Sequence, residues 1–362
     1  MIGGPVASSS PMIEVLTPIW QRVLQLSSIG VDDNFFDLGG DSSLALQLFN
    51  EIAQACGREL PPVTIYQAST IAALAALLEQ PVTPRLPTLV LLRTGTEETP
   101  VFIAHGLGGS AMDFYQPVKH IQTSHPIYGI QSRGIDGVEA PLESIEEMAQ
   151  FYLDEIKKLQ PLGPYFLIGY SLGGLVVLEM AQRLQGNGES VGLLAMLDAY
   201  PHNRYLSWRQ RAGIIARQAK ERALVLMRSP ARETISYLTG PFKRGYRIIE
   251  SLSGTSSYQP PAGVSFTPVM QRVRDSSYLA LTRYQPRFYN GSVKFVRAEI
   301  SSKFPENPVA VWRHLVADIE VETVRGDHLG IITTYFENLS SVLSRYLQRA
   351  TSRNGSKDGT AS

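Results

Sequence analysis

The sequence predicts an α/β protein: a mostly parallel β-sheet covered by helices, preceded by a small all-α helix bundle. Three observations predict it. Residues 11–80 carry three short amphipathic helical patterns and no strand pattern. Residues 81–88, PVTPRLPT, hold three prolines. Proline lacks a backbone donor and pushes its predecessor away from the α region, so this stretch reads as a linker. From about residue 89 onward, short β-rich runs alternate with helical ones, as in a parallel sheet with helices on both faces.

Residues 1–10 are Gly/Ser-rich and read as a loose arm. Ile13, Leu16, Ile19, Trp20 and Val23 then fall on one helical face. In a second helix, Ser43 to Cys56, Leu44, Leu48 and Ile52 recur four apart. A third, Thr70 to Leu78, is short and Ala/Leu-rich. Beyond the linker, VFIAH (101–105) and PIYGIQ (126–131) read as strands. Ile145, Met148, Ala149, Tyr152, Leu153 and Ile156 mark an amphipathic helix. YFLIG (165–169) is a strand, Gly173 to Leu184 a helix, and LLAMLD (193–198) a strand. VKFV (293–296) and IEVETV (319–324) are later strands, and Ile331 to Leu347 is a closing helix. The block at about 202–265 breaks the alternation. It is helical and basic in pattern and reads as an insertion above the sheet. The last stretch, 349–362, is polar and is expected to be disordered.

Composition narrows the class. Of 362 residues, 44% are hydrophobic and 18% charged, which supplies a sizeable core and excludes wholesale disorder. Lys+Arg and Asp+Glu both number 33, so no overall charge draws the chain to nucleic acid or membrane. The neutral total hides a polarised chain. Residues 11–80 carry eight acids against two bases, while 202–249 carry eleven bases against two acids. Attraction between an acidic first domain and a basic insertion is therefore an expectation. Cys56 is the single cysteine, which excludes an intrachain disulfide and a cysteine metal cluster. No apolar run reaches the ~18 residues of a membrane span. The N-terminus has no secretory pattern, and a cytoplasmic protein is expected.

The chemistry concentrates in YFLIGYSLGGLVVLEM. Gly169-Tyr170-Ser171-Leu172-Gly173 is a G-x-S-x-G between a strand and a helix. That spacing turns a strand sharply into a helix and leaves the serine hydroxyl exposed on a strained backbone. The helix N-terminus then faces an incoming oxyanion. A serine needs a base. His328, in VETVRGDHLGII, follows a strand on a Gly-containing loop, where catalytic residues of such sheets gather. His120, His125 and His314 sit in helical or turn contexts, and His202 lies too near the acid candidate. Asp198 ends the apolar strand LLAMLD and is the expected acid, with Asp327 as its rival by proximity. The order Ser171, Asp198, His328 is the order of an α/β-hydrolase. Strand 101–104 leads into His105-Gly106-Leu107-Gly108-Gly109, like the HG-x-G loops that supply an oxyanion donor. Leu107 N–H and Leu172 N–H are the expected oxyanion hole. Together these residues point to a serine hydrolase or acyltransferase with a helical lid insertion.

The first domain adds a second signal. Residues 32–49 read DDNFFDLGGDSSLALQLF, with two glycines before an acid and a serine that opens a helix. A Gly-rich approach to a helix N-terminus suits a phosphate. An ordinary N-cap by Asp41 or Ser42 suits the same residues, and spacing leaves both readings open. D-N-F-F-D-L-G-G-D-S, however, resembles the core of the peptidyl carrier domains of nonribosomal peptide synthetases. The resemblance covers about 11–80, with a further likeness in IYQASTIAALAALLE (65–79). It implies a 4′-phosphopantetheine arm on Ser42, framed by Leu38, Gly39, Gly40 and Asp41. Residues 89–348 resemble the type I thioesterases that end such assembly lines. VFIAHGLGGS, FLIGYSLGG, LLAMLDAY, YQPRFYNGSVKFVRAE and VRGDHLG carry that likeness, and they imply Ser171, Asp198 and His328 as the triad. Many members read H-P-x-G-G at the oxyanion loop, where this chain has Gly106.

The two resemblances imply a carrier–thioesterase didomain. Its substrate would be an acyl or peptidyl thioester. Its partners would be a phosphopantetheinyl transferase and upstream synthetase modules or an acyl-loading enzyme, with no nucleic acid and no membrane. The alternatives are an acyltransferase that passes the chain to an external amine or alcohol, and a non-catalytic carrier or docking module.

Overall fold

The computed structural model describes residues 10–58, 60–80, 85–228, 267–301 and 304–358. Helices α1 (Pro11–Leu24), α2 (Ser42–Cys56) and α3 (Ile71–Leu78) form the N-terminal bundle, with a 3₁₀ turn at Pro62–Tyr66. Leu16, Trp20, Leu48, Ile52, Ile71 and Leu74 are its fully buried centre. Ser10 belongs to this bundle, because its side chain caps α1 through Met12 N–H. Residues 1–9 and 81–84 lie outside the described residues.

The rest is a seven-stranded sheet with the order β1-β3-β2-β4-β5-β6-β7. The strands are β1 (Leu89–Arg93), β2 (Val101–Ala104), β3 (Ile127–Ile130), β4 (Tyr165–Tyr170), β5 (Val191–Leu197), β6 (Tyr289–Ile300) and β7 (Val316–Asp327). Every pair is parallel except β1 with β3. The parallel strands all end at one edge of the sheet, where crossover loops gather. The strand pattern reads short in two places. VKFV grows into the twelve residues of β6, and IEVETV into those of β7. Their long mutual register supports the outer ends, which alone lack strand-like alternation.

Helices cover both faces. On one lie α5 (Ile145–Leu159) and α6 (Leu172–Gly186), where Met148, Tyr152, Leu175 and Leu178 are buried against Phe102, Leu167 and Met196. Ser144 caps α5 through Glu147 N–H. On the other lie α4 (Tyr115–His120) and the last helix, with Val118, Leu339, Leu343 and Tyr346 against Ile103, Ile168 and Val296. Glu179 of α6 is fully buried and is paired with Arg183 and Arg287 at 3.0 and 2.9 Å, which keeps its charge tolerable.

The insertion begins with a 3₁₀ turn at Asn203–Tyr205 and α7 (Trp208–Arg228). Residues 229–266 of the expected 202–265 block lie outside the described residues. The chain returns through α8 (Pro268–Arg283), and α9 (Pro308–Trp312) precedes β7. The C-terminus corrects two expectations. The closing helix is two helices, α10 (Gly330–Thr333) and α11 (Phe336–Asp358). Tyr335 N–H reaches back to Gly330 O and ends the first of them. The stretch from 349 is not a disordered tail, because α11 runs on to Asp358. Ala350 is still buried, and Thr351 bonds Leu347 O and the ring of His125, so packing carries the helix past the apolar pattern. Residues 359–362 lie outside the described residues. Among the described residues, no helix is long and apolar enough to cross a membrane.

Candidate active site

β4 ends at Tyr170, and the chain turns into α6 at Ser171, whose φ of 55° and ψ of −117° are foreign to an L-residue. The glycines make the turn feasible. A Cβ at Gly169 would lie 2.2 Å from Gly173 O, and one at Gly173 would lie 2.4 Å from His105 O. Leu172 is the first residue of α6, so its N–H has no intrahelical acceptor.

His328 follows β7 directly. Ser171 Oγ donates to His328 Nε2 at 3.1 Å, and His328 Nδ1–H donates to Asp198 Oδ2 at 2.8 Å. Asp198 follows β5 and is 1% exposed. Its Oδ1 accepts from Ala298 N–H of β6 at 3.2 Å. Three strand ends thus bring the three expected residues into one hydrogen-bonded line. Asp327 is elsewhere: its Oδ1 accepts from Gly330 N–H, at the start of α10, at 2.7 Å.

The loop after β2 lies against this line. A Cβ at Gly106 would sit 3.8 Å from Ser171 Cβ, so the backbone beside Leu107 borders Ser171. Gly106 leaves the loop well tied. Gly106 O accepts from His105 Nδ1–H at 2.6 Å and from Gly109 N–H at 3.2 Å. His105 Nε2 accepts from Tyr152 Oη at 2.6 Å. Burial holds His105 down at about 4, so it is a neutral anchor at ordinary pH.

Two aromatic residues near His328 escape a motif search. Tyr170 stacks on the imidazole with centroids 4.9 Å apart and donates its hydroxyl to His328 O at 2.7 Å. Phe304 meets the same ring at 4.9 Å. Position x of G-x-S-x-G is an aromatic residue here, and that was the one available signal. His202 caps the Asn203 turn, and His314 meets Arg313.

Ser42 is the first residue of α2. The cap is Asp41, whose side chain accepts from Leu44 N–H at 2.8 Å. Gly39, at φ +91°, has open space on the side where a side chain would point.

Residues 99–349 match the family model described as the thioesterase domain. The chain belongs to the thioesterase domain family. Residues 14–78 ahead of this domain match the model described as the phosphopantetheine attachment site, the cofactor-bearing part of a carrier. The dimodular nonribosomal peptide synthase of Bacillus subtilis (strain 168) is 44% identical over 195 residues, 54% of this chain and 8% of that protein. Malpibaldin synthetase of Mortierella alpina is 30% identical over 323 residues, 87% of this chain and 5% of that protein. The chain thus spans less than a tenth of either relative. Among solved structures, a holo four-domain nonribosomal peptide synthetase bound to AMP and glycine aligns with 95% of this chain and 27% of its own, at 26% identity and a TM-score of 0.54. The thioesterase domain therefore follows a carrier domain within one chain, on an α/β-hydrolase sheet.

Proposed function

We propose that this chain releases an acyl or peptidyl group, held as a thioester on its own carrier domain, through an acyl-enzyme on Ser171. One observation carries the reading: the hydrogen-bonded line Ser171–His328–Asp198 stands in the same chain as a phosphopantetheine attachment domain. Such a line makes a weak hydroxyl a nucleophile, which a carrier or docking module without catalysis does not need.

Ser42 is the residue proposed to hold the 4′-phosphopantetheine. Its place at N1 of a fifteen-residue helix, with the cap already supplied by Asp41 and open space beside Gly39, fits a phosphodiester. The group supplies a thiol that presents the cargo as a thioester. His328 Nε2 takes the Ser171 proton as Oγ attacks the carbonyl. Leu107 and Leu172 N–H groups hold the oxyanion, each worth about 3–4 kcal/mol in sites of this kind. Asp198 keeps the Nδ1–H tautomer in place and stabilises the imidazolium. His328 returns the proton to the departing sulfur. It then removes a proton from water, or from a nucleophile within the cargo, as that group attacks the acyl carbonyl, and returns the proton to Ser171 Oγ as the ester bond breaks, so the product leaves as an acid or a ring. Because carrier and thioesterase are joined, the transfer is intramolecular. A phosphopantetheinyl transferase and upstream loading modules are the partners this role requires.

Intact mass spectrometry tests the reading. Treated with a phosphopantetheinyl transferase and hexanoyl-coenzyme A, the wild-type chain should gain an acylated arm and then lose the acyl mass. Ser171→Ala should keep it, and Ser42→Ala should gain neither. An acylated arm on Ser42→Ala would move the attachment site, and prompt loss of the acyl group from Ser171→Ala would refute the nucleophile.

A further inference from the structure

The carrier domain rests on the thioesterase through aromatic rings, and the ring contact joins the two segments that matter most. Phe35 and Phe36 are adjacent and meet edge-to-face with centroids 5.5 Å apart, but only Phe36 reaches across to the thioesterase. Phe35 is fully buried inside the bundle against Trp20, with centroids 5.3 Å apart. Phe36 leaves the bundle and stacks on Tyr115 at 4.0 Å, with Tyr66 at 5.1 Å on the carrier side. Only 7% of Phe36 is exposed. A stack of this kind favours a defined ring geometry over general apolar contact.

On the carrier, Phe36 is tied to the attachment loop. Asn34 O accepts from Asp37 and Leu38 N–H, Phe36 O from Gly39 N–H and Phe35 O from Gly40 N–H. This turn leads straight to Asp41 and the start of α2. On the thioesterase, Tyr115 opens α4 just beyond the oxyanion loop. The intervening Phe114 packs edge-on to Tyr170 at 6.2 Å, and Met112 joins the carrier's own core. Ile135 joins that core as well, from the loop where Ile135 N–H bonds Ser132 O and Ser132 N–H bonds Gly109 O. Asp136 accepts from Leu86 N–H of the linker at 3.2 Å. These contacts follow β2 and β3, so they sit at the edge of the sheet where Ser171 and His328 lie.

We propose that the stack of Phe36 and Tyr66 on Tyr115 is the docking surface from which cargo on Ser42 is delivered to Ser171, and that Tyr115 is the thioesterase residue that recognises the carrier. The proposal rests on the release reading above. The occupant is the carrier domain of the same chain.

The test uses the full chain, loaded on Ser42 with hexanoyl-coenzyme A and a phosphopantetheinyl transferase. The readout is return of the free arm thiol in a single turnover, beside hydrolysis of soluble hexanoyl-N-acetylcysteamine. Tyr115→Ala should slow thiol return by about tenfold, the equivalent of one aromatic pair. Tyr115→Phe keeps the ring and should stay within about twofold on both measures. Hydrolysis of the soluble thioester should stay within about twofold in both variants, because no soluble substrate needs docking. Amide exchange at Asp37, Leu38 and Gly39 should quicken in Tyr115→Ala as the turn loses its cover. Thiol return at the wild-type rate with unchanged exchange would overturn the proposal. So would an equal loss on both substrates, which would make Tyr115 a support for the oxyanion loop. A wild-type chain that keeps its hexanoyl group would instead refute release, and the exchange readout alone would then decide the surface.

Discussion

Asp198→Asn isolates the acid of the proposed triad, and the structure limits how the variant can respond. Asp198 receives two N–H donors, His328 Nδ1–H at 2.8 Å on one oxygen and Ala298 N–H at 3.2 Å on the other. Asparagine has one acceptor oxygen and one donor group, so one of these donors must lose its acceptor. If the amide NH₂ turns to Ala298, two donors face each other in a buried place, at a cost of about 1–3 kcal/mol. His328 then keeps its tautomer but loses the carboxylate that stabilises the imidazolium. Replacing a charged acceptor by a neutral one costs about 1.5 kcal/mol in the transition state, or roughly tenfold in rate. If the NH₂ turns to His328, the imidazole must accept at Nδ1. Its proton then sits on Nε2, facing Ser171, and general-base catalysis fails by about 10⁴-fold, as wrong tautomers do in such triads. The fall in kcat on a soluble thioester should lie between these limits, with KM within about twofold because the carboxyl touches no substrate. Asp327→Ala is the control. It loses the hydrogen bond from Gly330 N–H, worth about 1 kcal/mol of stability, and should keep its kcat. Wild-type kcat in Asp198→Asn beside an inactive Asp327 variant would refute the assignment.

Tyr170→Phe keeps the ring against His328 but strands His328 O, and kcat should fall about tenfold with little change in KM; an unchanged kcat would show that the hydroxyl does not hold the loop. Burial lowers His105 from 6.5 to about 4, so the unfolded chain takes up a proton that the folded chain refuses between these values. Stability should therefore fall by about 3 kcal/mol as pH drops from about 6.5 to 4, and Tm measured across that window should fall less steeply in His105→Gln. The Tyr66 hydroxyl is buried with no hydrogen-bond partner among the described residues, so Tyr66→Phe should leave thiol return from the carrier as fast as wild type or faster, whereas Tyr66→Ala should slow it. Raising salt from low to physiological strength should change thiol return in the intact chain less than about twofold, because the described contact is a ring stack; a steep decline would restore charge attraction as the guide.

The site was legible because each of its parts marks a local backbone event. Two glycines permit the turn at Ser171, a carboxylate ends the apolar run of β5, and a histidine follows a strand on a short loop. Such events leave their trace within a few residues. What was not legible depends on contacts between distant residues. LVLLR becomes a strand because it lies antiparallel to β3, and nothing in its own five residues says so. Tyr170 meets a residue 158 positions away. Phe36 looks like a second core phenylalanine until the bundle has turned it outward. Charge counting sets the bases of the insertion against the acidic carrier; Arg217 pairs with Glu306 and Arg209 lies over the Trp208 ring, and residues 229–249 of that basic stretch lie outside the described residues. A sum of charges says nothing about which of them are already paired.

The backbone strain of the site has a common origin. Ser171 and Asp198 are two of the three non-glycine residues with positive φ among the described residues, at 55° and 46°. Each is the first residue beyond a parallel strand, and the strands β4 and β5 are neighbours that end in register, Tyr170 opposite Leu197. A strand continued in extended geometry would carry both side chains on along the sheet, to alternate faces. A turn to positive φ at this shared level brings each back over the strand ends, where His328 arrives from β7. Such conformations cost about 1–3 kcal/mol each and persist only where the surroundings fix them. Here the fixing is visible. Ser171 N–H bonds Leu197 O, Asp198 N–H bonds Val296 O, and Asp198 Oδ1 takes Ala298 N–H. The sheet's own ladder, extended by one bond at each strand end, thus holds Ser171 and Asp198 in place. Asp198 has one carboxyl oxygen for the backbone and one for His328, and a residue with a single acceptor cannot serve both.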